Sequence, residues 1–207
     1  MAAGSISART FNAARTARPM PEPSMKDLQI ADAQMDMRAG YISGAPGTAV
    51  SAVAWLAAAS VALFRSPDAA VWTLLVAGAF IHPVSVLLTK VLGRRGAHQP
   101  GNPLARLAME STVWMLMGIA VAFGLSTLRI EWFFPAMLLV IGGRYLTFQT
   151  LYGLSIYWVL GGTLCVAGIG LALTRAPPLF SALAGGVIEL LFAGLIYARA
   201  GLAGRDS

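Results

Sequence analysis

Residues 131–153, EWFFPAMLLVIGGRYLTFQTLYG, decide how the chain is read. The stretch starts with an aromatic cluster, continues through an apolar run, and then carries Arg144 where a helix facing lipid should carry no charge. A guanidinium inside hydrocarbon is costly unless it faces the interior of a bundle and meets a partner. The stretch therefore implies several companion helices. Pro135 suits its first turns, and Gly142 and Gly143 are expected to let it approach a neighbour closely, with Thr147, Gln149 and Thr150 extending a polar face beyond them.

Composition supports that reading. Of 207 residues, 57% are hydrophobic and 12% charged, whereas a soluble domain is roughly 45–50% apolar and about 25% charged. The net charge of +6 comes from basic residues gathered mainly at the ends of apolar runs, which is the pattern of topology signals beside anionic headgroups. No nucleic-acid partner is expected; the expected partners are the lipid bilayer and either further copies of the chain or a larger membrane complex. The one cysteine, Cys165, lies in an apolar run, so it has no intrachain disulfide partner and reads as a small packing residue.

Proline and capping signals divide the rest of the chain. Residues 1–24 are rich in Ala, Ser and Arg and end in a proline cluster, so they have too little apolar surface to fold alone and read as a disordered tail. Either a cytoplasmic tail or an organellar transit peptide has this composition. Residues 25–43 contain Met25, Leu28, Ala31 and Met35 at helical spacing, which predicts a short amphipathic helix along the cytoplasmic face. Spans are then expected over about 46–64, 68–92, 103–125, 131–153, 154–174 and 177–198, started by Pro46, by Ser66-Pro67, by Asn102-Pro103 and by Pro177-Pro178. Each is about 20 residues, enough to cross roughly 30 Å of hydrocarbon. His82-Pro83 should bend the second span and free a carbonyl. The expected fold is thus all-α: an integral membrane bundle of six transmembrane helices over 44–198, with the short N-terminal interfacial helix and a C-terminal tail at 199–207.

Arginine and lysine set the orientation. The N-terminal arginines, Lys26, Arg38, Lys90, Arg94, Arg95, Arg106, Arg199 and Arg205 fall on one side, against Arg65, Arg129 and Arg175 on the other. Both termini should therefore be cytoplasmic. Trp72 and Trp132 mark the outer boundary, and Tyr41, Tyr152 and Tyr197 the inner one. A bacterial inner membrane is the expected location, with an organellar membrane as the alternative raised by residues 1–24.

Four ionisable residues lie inside the expected spans: His82, Glu110, Arg144 and Glu189. At about 1.5 Å per residue they sit roughly 9 to 15 Å from the cytoplasmic ends of their helices. Equal depth predicts one polar layer in which Arg144 bridges Glu110 and Glu189, with His82 as a hydrogen-bonding neighbour. The competing arrangement pairs Arg106 with Glu110 at i and i+4 and removes Glu110 from the layer. No second His or Cys follows His82 at metal-ligand spacing, no phosphate loop follows a strand, and no nucleophile triad is visible. Neither a metal nor a cofactor is expected.

Four stretches, MDMRAGYISGAPG (35–47), IHPVSVLLTKVLGR (81–94), GNPLARLAMEST (101–112) and WFFPAMLLVIGGRYLTF (132–148), resemble an uncharacterised family of small bacterial multi-pass membrane proteins. The resemblance covers about residues 35–198 and implies motif positions at His82, Pro83, Asn102, Pro103, Glu110, Gly142, Gly143 and Arg144, without a reaction or ligand. The favoured function is a non-enzymatic membrane protein whose polar layer lines a cytoplasm-facing cavity for a small anion, a proton or a polar solute. An accessory or scaffold subunit of a membrane complex is the alternative, with an intramembrane enzyme third.

Overall fold

The computed structural model describes residues 25–203, with side chains from 29 to 201. The tail expected at 1–24 and the last four residues lie outside the described part. Among the described residues every regular element is helical: α1 (Met25–Tyr41), α2 (Ala45–Phe64), α3 (Pro67–Val91), α4 (Leu104–Leu128), α5 (Phe133–Tyr152), α6 (Ile156–Leu173) and α7 (Pro178–Ala203), with short 3-10 turns at Ile42–Gly44 and Ile130–Trp132.

The start signals act as their chemistry dictates. Ser66 Oγ accepts from Ala69 N–H at 3.2 Å, and Pro67 takes the first helical position of α3. Asn102 Oδ1 accepts from Leu104 N–H at 2.9 Å to open α4. Gly153, with φ +63°, closes α5 in the left-handed conformation that favours glycine. Helix α3 continues through Pro83, which lacks the N–H that would reach the Ala79 carbonyl one turn earlier, and the His82 carbonyl accepts from Ser85 Oγ at 2.8 Å. One expectation needs correction. Helix α7 continues past Ala198 to Ala203, because Arg199, Ala200, Leu202 and Ala203 are good helix formers.

Among the described residues five segments are long and apolar enough to cross a membrane, with mean hydropathy between 1.7 and 2.1: Gln29–Phe64, which includes α2, then α3, α4, α6 and Pro178–Gly201 in α7. The 20-residue α5 is not among them; its Gly142-Gly143-Arg144 and Gln149 dilute the apolar run. It is nonetheless central. Phe133, Phe134 and Leu138 are fully buried, and α5 packs on both α4 and α6.

The helices fall into two groups. Helix α2 packs on α3 and α7, and α5 packs on α4 and α6; contacts of α7 with α5 and α6 join them. Glycines set the closest approaches. A Cβ on Gly142 would lie 2.7 Å from Cys165 Sγ and 2.8 Å from the Gly161 carbonyl oxygen, so α5 and α6 meet almost backbone to backbone. In α7, Gly185 lies against Trp55 and Gly186 against Leu56 of α2. Gly143 behaves differently from its neighbour, with nothing within 4 Å of its Cβ position.

Candidate functional site

The equal-depth layer does not assemble. His82 and Pro83 lie on the exposed face of α3. Glu110 is 55% exposed and pairs with Arg106 at 3.0 Å, the i,i+4 arrangement. Among the described residues Arg144 reaches no carboxylate: its guanidinium contacts Thr112 Oγ1 at 3.2 Å and the Met115 sulfur on α4, and lies 5.5 Å from the centre of the Phe148 ring. Of the four, Glu189 alone faces the bundle interior.

Glu189 is fully buried, with no solvent-accessible side-chain surface. It lies on α7 beside Ser51 and Trp55 of α2 and Tyr145 of α5, at the seam between the two helix groups. None of these neighbours meets either carboxylate oxygen with hydrogen-bond geometry, so both oxygens are without a partner among the described residues. Such a group is uncommon, because a buried polar atom without a bond costs about 1–3 kcal/mol and more when charged.

A polar line leads from this carboxyl toward the α1 end of the bundle. Tyr145 lies beside Ser51 and Thr48, and Thr48 beside Tyr157. The rings of Tyr145 and Tyr157 stack with centroids 5.9 Å apart, and those of Tyr157 and Tyr152 at 5.5 Å. Tyr157 Oη donates to the Ser43 carbonyl at 2.6 Å. Apart from Tyr152, which was assigned to the inner boundary, sequence reasoning passed over these residues. Their signal was present in α2, where Thr48, Ser51 and Trp55 share one helical face.

Ser43 belongs to an unusual elbow. Ile42, Ser43 and Gly44 have φ of 51°, 54° and 84° in succession, and for a β-branched residue such as Ile42 this is a genuine outlier. The buried rings hold the elbow: a side chain at Gly44 would strike the Tyr157 hydroxyl and the Tyr152 ring.

Before the elbow, α1 is strapped to the loops by polar contacts. Asp36 accepts from Arg95 Nη2 at 2.5 Å, from Gln99 N–H at 2.8 Å and from Asn102 Nδ2 at 2.9 Å. Arg38 donates to the Tyr152 carbonyl at 2.5 Å, and Gln34 to the Thr150 carbonyl at 2.8 Å. Burial works to raise the Asp36 carboxyl, but these donors and the Arg95 charge outweigh it and hold the group below its ordinary range. Burial pushes the Tyr41 phenol up, and its hydroxyl lies 3.2 Å from His98 Nδ1. His98 and Arg95 are thus both engaged by α1.

No cluster of metal ligands occurs among the described residues. A family of unknown function, DUF7010, matches residues 30–199, and the chain belongs to that family. No curated protein and no solved structure matches it.

Proposed function

We propose that this member of DUF7010 is a six-span bacterial inner-membrane protein with both termini in the cytoplasm, and that Glu189 takes up and releases a proton within the bundle. The observation that carries the reading is the carboxyl itself, completely buried at a helix seam with neither oxygen hydrogen-bonded. A negative charge at that place would be unpaired and costly, and a proton removes it. Binding and loss of the proton therefore alter how strongly α7 is held against α2 and α5. Helix α5 counts as the sixth span because its length and its fully buried Phe133, Phe134 and Leu138 suit an interior helix. On this reading α1 lies along the cytoplasmic face, fixed to the loops through Asp36.

The separation of Arg144 from Glu189 favours a proton over an anion or larger solute, since no shared charged layer is available to hold one. The scaffold alternative retains an observation of its own, because α3 and α4 each present long exposed apolar faces, including Trp72, Phe80, Trp114 and Val121. A proteoliposome assay separates the two. Collapse of an imposed pH gradient should be faster with the wild-type protein than with empty vesicles, and Glu189→Gln should abolish the difference. No proton flux by the wild type, with a stable co-purifying membrane partner, would establish the scaffold reading instead.

A further inference from the structure

The groove between α4 and α5 holds Arg144, which has no ion-pair partner among the described residues. The helices close at one end, where a Cβ on Gly118 would lie 2.7 Å from Val140 Cγ2. They part at Gly143, leaving a space of about 310 Å³ lined by Ser111, Trp114, Leu139, Gly143, Arg144 and Thr147. The space opens sideways, for Gly143 and Leu139 are exposed and Trp114 is 72% exposed.

We infer that this groove binds the phosphate of an acidic phospholipid through Arg144, with an acyl chain lying along the apolar wall. The assignment to the inner leaflet rests on the orientation proposed above. Charge complementarity supports the phosphate. Among the described residues no carboxylate lies within ion-pair distance of the guanidinium, and its Nε–H has no acceptor. A guanidinium fork suits two oxygens of one oxyanion. The guanidinium also leans over Phe148, one turn nearer the α5 end that carries the α1 contacts; this brings the cation toward headgroup level. The wall argues for an amphiphile, since Trp114, Met115, Leu139 and Val140 offer apolar surface that a free aqueous anion would not use.

The test uses the purified full-length protein in neutral detergent, as wild type, Arg144→Gln and Gly143→Leu. Thermal unfolding is followed with added dioleoyl phosphatidylglycerol, dioleoyl phosphatidylcholine, sodium oleate or inorganic phosphate. Phosphatidylglycerol should raise the wild-type midpoint by about 5 °C, phosphatidylcholine should not, and both variants should lose the rise. Gly143→Leu keeps the charge while filling the groove, so it carries the test if Arg144→Gln fails to fold. A rise retained in the folded variants would place the lipid on other basic residues and overturn the inference. So would no rise in the wild type, or an equal rise with phosphatidylcholine, with phosphate alone or with oleate. Glu189→Gln should keep the lipid response, so loss of proton flux and loss of lipid binding can be told apart.

Discussion

Gly142 and Gly143 are adjacent, yet alanine should have opposite effects at the two positions. At Gly142 the new methyl would lie 2.8 Å from the Gly161 carbonyl oxygen and 2.7 Å from Cys165 Sγ, where ordinary contact begins at 3.4 Å. The sulfur can rotate away, but the carbonyl belongs to the α6 backbone. The two helices must therefore separate locally by roughly 0.6 Å, and overpacking of this kind costs about 1–3 kcal/mol. Both substitutions also remove a helical glycine, which favours the helix by about 0.8–1.0 kcal/mol. Because that gain is common to both, the difference between the two variants isolates the packing term at about 1–3 kcal/mol. Gly143→Ala should be neutral or stabilising by up to about 1 kcal/mol, and Gly142→Ala destabilising by up to about 2 kcal/mol. Denaturation of the detergent-solubilised variants with a denaturing detergent, followed by circular dichroism, measures both. Equal stabilities, or the reverse order, would refute the backbone-to-backbone crossing of α5 and α6.

Other substitutions test the remaining contacts. Tyr157→Phe leaves the Ser43 carbonyl without its donor, so it should destabilise by about 1–3 kcal/mol and speed proteolysis at residues 42–44, read by timed digestion and mass spectrometry. The strap of α1 should depend on pH. The Asp36 carboxyl is held below its ordinary value of 3.8, so its contribution is complete above that value and is lost as pH falls through the lowered one. Hydrogen-exchange protection factors in α1, corrected for the pH dependence of intrinsic amide exchange, should fall at acid pH in the wild type, whereas Asp36→Asn should show reduced protection already at neutral pH, with little further acid dependence from this site. Arg106→Ala and Glu110→Ala should each cost no more than about 0.5 kcal/mol in the same denaturation assay; removing one partner of a buried ion pair would cost about 3–5 kcal/mol.

Helix starts were legible because they depend on local chemistry. Ser66-Pro67, Asn102-Pro103 and Pro177-Pro178 mark them within a residue or two, and Pro46 marks α2. Distance along a helix can be counted from the sequence as well, but rotation about the helix axis cannot. In a soluble protein the polar face of a helix reveals which way it turns, but in a bilayer the outside is as apolar as the core. Glu110 illustrates this: Met109, Val113, Trp114 and Met117 around it look like core residues and are all exposed. The same ambiguity let His82 be assigned to an interior from which α3 turns it away.

The quoted stretch contains the resolution of that ambiguity in two consecutive residues. Neighbours on an α-helix point about 100° apart, so Arg144 and Tyr145 cannot serve the same face. Tyr145 is buried toward Ser51 and Glu189 at the seam of the two helix groups, which obliges Arg144 to point away, toward Thr112 and the groove beside α4. The placement of Tyr145 thus accounts for why the carboxyl of α7 and the guanidinium of α5 do not neutralise each other. Neither has a counter-charge among the described residues; we propose a proton for Glu189 and an oxyanion for Arg144. The two proposals are therefore consequences of one helix rotation. Moving the arginine by one position, in the double variant Arg144→Tyr with Tyr145→Arg, should turn the guanidinium toward Glu189, form the bridge that the native order prevents, and abolish both proton flux and the lipid response.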